Sequence, residues 1–232
     1  MILGYKERTI LNNTIMSKNI SPLQQVLNVW AIILIIWSVY RTKVLLPEWF
    51  DEFIAKPVVF ILPVYIFIKK FEQKPFLQQI WLKIHNSLGD IYISLFLGGV
   101  FASSALFANY ARYGDFQFAK EFFSNKFLIV LLIPFATSIS EEILSRGFIL
   151  KRLYEDSKNM YSSSFLASIL FLILHIPILF TIPGLSGSLL LLFLATDFIL
   201  SLVNSFIYLD RKSLLAPILI HAFYNIAILL YI

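Results

Sequence analysis

Glu141, Glu142 and Arg146 stand in the stretch SISEEILSRGFIL (138–150), directly after the apolar run FLIVLLIPFAT. Ionisable groups at the centre of a bilayer cost roughly 2.5 to 3.5 kcal/mol each, so they persist there only with partners, water or a task. Glu142 and Arg146 are four residues apart, a spacing that puts them on one helical face where they can pair. Glu141 points about 100° away from Glu142. It shares its face with Thr137, Ser138 and Ser145, none of which is a cation, and is the candidate reactive carboxylate. Pro134, about two turns earlier, frees a carbonyl and favours a bend just before the glutamates.

Three further polar residues occur in apolar surroundings. His175 lies in FLILHIP, where Pro177 is expected to end the helix, and His221 and Asn225 lie four apart in APILIHAFYN. Measured from the basic or polar end of each span at a rise of ~1.5 Å per residue, Glu141, His175, His221 and Asn225 fall at depths of roughly 15 to 21 Å. One layer can therefore hold all four. Asp197 and Asn204, seven apart on the preceding span, share a face; they either line the same cavity or pair with neighbouring helices, and the pairing is the one expected. The chain has no cysteine, so chemistry must come from carboxylates, imidazoles, hydroxyls and amides.

The elements that position these groups are membrane helices. Of the 232 residues 59% are hydrophobic and only 14% charged, with 23 phenylalanines and a mean hydropathy of +0.79. Soluble globular domains are far more polar. Charges cluster between apolar stretches of roughly 15 to 23 residues, long enough to cross about 30 Å of hydrocarbon. Strands are excluded because the alternating pattern of a barrel is missing and an open sheet leaves backbone groups unpaired in lipid. The fold class expected is all-α: a polytopic transmembrane helical bundle of about seven spans (six to eight). The spans are Val26–Tyr40, Phe53–Ile68, Leu88–Ala108, Phe127–Arg152, Ser162–Ile176, Ser188–Leu209 and Ser213–Ile232, with Ile178–Ile182 as a candidate re-entrant tract.

Residues 1–25 carry no uninterrupted apolar core of the kind a secretory signal needs and read as a cytosolic N-terminal tail. Residues 26–232 read as one transmembrane domain without repeats or linkers. Twelve Lys and Arg flank the spans on one side and six on the other, Lys56 among the six. The positive-inside bias places the N-terminus in the cytosol. The net charge of +5 and pI near 9.3 follow from that bias, because the basic residues form no single face for nucleic acid. The partner expected from composition is the lipid bilayer.

Taken together, E-E-x-x-x-R at Glu141, Glu142 and Arg146, F-x-x-x-H at Phe171 and His175, and H-x-x-x-N at His221 and Asn225 resemble the CPBP, or Abi, family of intramembrane proteases. That family includes the type II CAAX prenyl endopeptidases and bacterial proteins linked to bacteriocin immunity. The resemblance covers about residues 127–228. Ser145 stands where the family commonly has an aromatic residue. The resemblance implies an intramembrane endopeptidase, a hydrolase labelled metalloendopeptidase at the level of the family, acting on a peptide or membrane-protein substrate in a prokaryotic plasma membrane. Glu141 would be general base, His175 would hold and polarise water, and His221 and Asn225 would donate to the oxyanion. Glu142 and Arg146 would support the site. Glu141, His175 and His221 are also candidate zinc ligands, and the sequence leaves the cofactor open between none and zinc. Two other functions stay in view: a proton- or ion-coupled transporter, and a non-catalytic immunity protein that works by binding.

Overall fold

The computed structural model describes residues 20–44, 46–82, 87–114, 127–179 and 187–229. They form eight helices: α1 (Pro22–Lys43), α2 (48–72), α3 (Phe76–Gln79), α4 (Ser87–Tyr113), α5 (Phe127–Ser157), α6 (Met160–Leu179), α7 (Gly187–Arg211) and α8 (Leu215–Leu229). No strand occurs among the described residues. The molecule is an all-α helical membrane bundle.

Each of the seven segments expected to span coincides with a helix among the described residues, but their ends differ. Four residues assigned to the tail, 22–25, belong to α1, because Pro22 occupies its first turn and the Ser21 hydroxyl accepts from the Gln24 N–H at 3.1 Å. Residues 1–19 of that tail lie outside the described residues. Pro177 does not end α6, which runs on to Leu179; a membrane helix absorbs a proline where neighbours re-satisfy the freed backbone. The remainder of the re-entrant tract, 180–182, lies outside the described residues. Ser213 caps α8 from outside, its hydroxyl accepting from the Leu215 N–H at 3.3 Å.

Among the described residues five helices have both the length and the composition to cross a membrane: Pro22–Lys43, Leu88–Phe107, Phe127–Ser157, Met160–Pro177 and Leu190–Arg211. The two that fall short are α8, described over 15 residues, and α2, which carries Asp51, Glu52 and Lys56 inside an apolar frame. Both bear directly on the site. Large apolar side chains such as Ile35, Val39, Tyr92, Phe96 and Phe107 point outward, as lipid permits and water would not.

Helix contacts follow the membrane rule that close packing needs small residues, since lipid tails supply no hydrophobic force between helices. α6 buries Ser163, Ser164, Ala167 and Ser168, and it packs between α1 and α7. α8 lies along α4 and α5, with the Phe223 ring filling the space above Gly98, where an added Cβ would sit 2.5 Å from it. At one end of the bundle, residues 73–82 fold under the helices. Tyr208 donates to the Ile80 carbonyl (3.2 Å) and the Leu214 N–H to the Trp81 carbonyl (3.0 Å). Arg152 grips Glu72 with two nitrogens at 2.9 to 3.0 Å, and Arg211 pairs with Asp90.

Gly147 of α5 makes that end close, since a Cβ there would meet the Ile80 Cβ at 2.9 Å, whereas one at Gly99 would meet nothing within 4 Å. Gly147→Ala is expected to lower unfolding stability in detergent by ~1–3 kcal/mol through overpacking. Gly99→Ala should be neutral or stabilising by up to ~1 kcal/mol, since alanine loses less backbone entropy in a helix. Equal thermal midpoints for the two variants would overturn this packing assignment.

Candidate functional site

α5 is regular to Glu142 and then widens. From Ile143 to Leu150 its turns follow an i→i+5 pattern, the Lys151 N–H reaching back to the Arg146 carbonyl. Such widened turns occur often at functional sites because they turn side chains away from their ordinary angular positions. Every side chain from Ser140 to Leu153 is buried, so this stretch is the centre of the bundle and not a lipid-facing span.

Glu142 is the node of that centre. One carboxylate oxygen, Oε1, accepts from Arg146 Nη1 at 2.9 Å and from Asn204 Nδ2 at 3.2 Å, and it lies 2.8 Å from His221 Nδ1. A single oxygen thereby joins α5, α7 and α8. Arg146, 1% exposed, uses its other terminal nitrogen on the Ser201 carbonyl at 3.0 Å. The pairing expected from the four-residue spacing is present, and Asn204 pairs across helices as expected.

Phe171 organises the other half. Its ring lies against the Arg146 guanidinium at 4.7 Å, the His175 ring at 4.6 Å and the His221 ring at 5.9 Å between centroids. Its carbonyl lies 3.0 Å from His175 Nδ1. A carbonyl can only accept, so His175 Nδ1 carries the proton and the Nε2 lone pair of the neutral ring is free. The same logic holds at His221, where Nδ1 faces the Glu142 carboxylate. Both imidazoles therefore present Nε2 to one place.

That place is Glu141. Its Oε2 lies 3.7 Å from His175 Nε2 and 3.8 Å from His221 Nε2 and has no hydrogen-bond partner. Three of the four residues expected to share a layer do meet, from α5, α6 and α8. The fourth, Asn225, is adjacent: its amide nitrogen lies 3.4 Å from Ser138 Oγ, one turn before Glu141.

Lys56, Glu52 and Thr137, which sequence reasoning does not assign to the site, join it, and so does Asp197, for which this is the less expected of two readings. Lys56 of α2 bonds Glu141 Oε1 at 2.7 Å and Glu52 Oε2 at 2.7 Å, and the Thr137 hydroxyl donates to that same Glu52 oxygen at 2.7 Å. By sequence Lys56 reads as one of six charges at a membrane edge; it is 6% exposed and within the bundle, which leaves five on that side. Glu141 thus has a cation after all, from another helix. The signal in the sequence was the four-residue spacing of Glu52 and Lys56 in an apolar helix. Asp197, for which pairing between helices is the favoured expectation and lining the cavity the alternative, directs Oδ2 to within 4.0 Å of His175 Nε2, again without a hydrogen-bond partner.

The donors do not fit zinc. Among the described residues no three or more His, Asp or Glu side chains group as a metal set, so Glu141, His175 and His221 do not make one together. In addition, one oxygen of Glu141 already holds an ammonium, which would repel a dication bound to the other. What the arrangement can do is hold a small polar molecule between one carboxylate oxygen and two imidazole nitrogens, with a second carboxylate close by.

Residues 123–227 match the family model described as Type II CAAX prenyl endopeptidase Rce1-like. The match takes in all three motifs and relates the chain to CAAX-type intramembrane proteases, whose substrates are peptides or proteins. No curated protein and no solved structure matches the chain.

The Glu142–Arg146 pair is the support on which these contacts rest. Arg146→Met is expected to cost ~3–5 kcal/mol of stability, because it strands a buried carboxylate. A drop in the thermal midpoint in detergent, with less folded protein recovered, checks this. A midpoint equal to the parent's would mean that the pair is not structural.

Proposed function

We propose that the chain is an intramembrane endopeptidase that hydrolyses a peptide bond with water activated by Glu141 and His175. The observation that carries the reading is the free Oε2 of Glu141, facing His175 Nε2 and His221 Nε2 at 3.7 and 3.8 Å while the opposite oxygen is tied down. General-base catalysis needs a carboxylate with one oxygen free at hydrogen-bond reach of a water that another group orients.

In this mechanism a water bound between Glu141 Oε2 and His175 Nε2 gives a proton to the carboxylate as its oxygen attacks the peptide carbonyl carbon. The C=O π electrons move to oxygen. His221, as the imidazolium that carries a proton on Nε2 as well as on Nδ1, and the Asn225 amide donate to that oxyanion. As the tetrahedral intermediate collapses, the C–N bond breaks and the proton on Glu141 passes to the leaving nitrogen, which regenerates the carboxylate. Glu142 and Arg146 orient His221 and hold α5. No metal takes part.

The protease core comprises about residues 127–228 within a transmembrane domain of residues 26–232, in a prokaryotic plasma membrane with the N-terminus cytosolic. The substrate is a prenylated C-terminal peptide of the CAAX type or a bacteriocin-related peptide, reached from within the bilayer.

The test is cleavage of a peptide library that includes prenylated C-terminal peptides, by protein purified in detergent. Glu141→Gln and His175→Ala should each lose at least ~100-fold in rate, the scale of lost acid–base catalysis. A zinc chelator should leave the parent rate unchanged. Cleavage with no ion gradient present separates a protease from a transporter, and loss in Glu141→Gln separates it from a protein that only binds. Equal cleavage by the parent and both variants would sink the assignment.

A further inference from the structure

Lys56 sits in the middle of an apolar helix, FIAKPVVFIL, at 6% exposure. A lone ammonium there is among the most costly groups a membrane protein can bury. Its three donors are nonetheless all engaged: Glu141 Oε1 at 2.7 Å, Glu52 Oε2 at 2.7 Å, and the face of Trp37 on α1 with the nitrogen 5.8 Å from the ring centroid. Glu52 is itself fixed from the α5 side by the Thr137 hydroxyl. The backbone is adapted as well. Pro57 follows the lysine and donates no hydrogen bond, and α2 makes i→i+5 turns on both sides, with the Lys56 N–H on the Asp51 carbonyl and the Leu62 N–H on the Pro57 carbonyl.

Packing alone does not require this. A buried ion pair rarely adds stability over apolar residues of the same volume, so the cluster is weak evidence of a structural role. Its asymmetry is informative. Lys56 takes one oxygen of Glu141 and leaves the other, and the free oxygen is the one that meets both imidazoles. An isolated carboxylate rotates about its last torsion, a broad and roughly two-fold one, and would present either oxygen.

We infer that Lys56, braced by Glu52, is a positioning residue of the proposed protease site: it anchors Glu141 through Oε1 so that Oε2 is held against His175 and His221. The inference rests on the reading given under Proposed function. It extends the site to α2, outside the 123–227 segment that matches the family model.

The test uses the full chain in detergent and the library peptide that the parent cleaves best. Lys56→Met should lower kcat about 100-fold, the scale expected when a reacting group is misplaced by about 1 Å, with KM within threefold of the parent. Lys56→Arg, which keeps the cation, should recover at least tenfold of that loss. Glu52→Gln combined with Lys56→Met should be no slower than Lys56→Met alone, because the two act as a unit. If Lys56→Met does not purify as a folded protein, Lys56→Gln carries the same test, with an expected tenfold loss in kcat at unchanged KM. A kcat within threefold of the parent in Lys56→Met, beside an inactive Glu141→Gln, overturns the inference and leaves the protease standing. Equal cleavage by the parent and Glu141→Gln overturns both.

Discussion

An ionised side chain in hydrocarbon must be met by an opposite charge or by several donors, and this bundle is arranged around that requirement. Six charged groups lie close together in its interior: Glu52, Lys56, Glu141, Glu142, Arg146 and Asp197. Each cation is bonded to a carboxylate within 3 Å. The partners come from different helices wherever one helix cannot supply them, so satisfying charge also brings α2, α5, α7 and α8 together. In water the hydrophobic effect would do this work, but between lipid-bathed helices it is absent.

The carboxylates are not equivalent. Glu142 is saturated on one oxygen by three donors and fully buried, which suits a fixed support. The second oxygen of each carboxylate has no hydrogen-bond partner, but that of Glu141 faces His175 Nε2 and His221 Nε2 at 3.7 and 3.8 Å, which suits a group that exchanges protons. Two adjacent residues of the same type thus acquire different characters because the helix turns about 100° between them and directs them at different neighbours. Phe171 accomplishes something comparable for the histidines: its carbonyl sets the tautomer of His175 while its ring contacts the Arg146 guanidinium and both imidazoles.

The proposed reaction draws on an imbalance within this cluster. Four carboxylates face two cations, and the two imidazoles stand beside the carboxylates that lack a full complement. A site of this kind can take up and return a proton without creating an uncompensated charge in the low-dielectric interior. That property would serve a proton relay equally well. What inclines the reading to hydrolysis is the kinship of residues 123–227 with prenyl endopeptidases and the convergence of both Nε2 atoms on a single oxygen.

Composition and spacing by themselves determined that the chain is a bundle of membrane helices and that Glu141, His175, His221 and Asn225 can lie in one layer. Hydrocarbon thickness and helical rise are fixed lengths, and a four-residue spacing fixes a face, so these follow from counting. The Glu142–Arg146 pair was legible for the same reason. Helix ends were less so: Pro177 reads as a stop, but its cost depends on which neighbours receive the freed carbonyl. Which helix faces which is decided by packing alone. Lys56 therefore looked like an edge charge, although 85 residues separate it from the Glu141 it bonds, and Asp197 looked like a helix-to-helix contact. No local pattern encodes such meetings. They exist only once α2 and α7 are packed beside α5 and α6, because the partner that makes a buried charge tolerable is supplied by the fold.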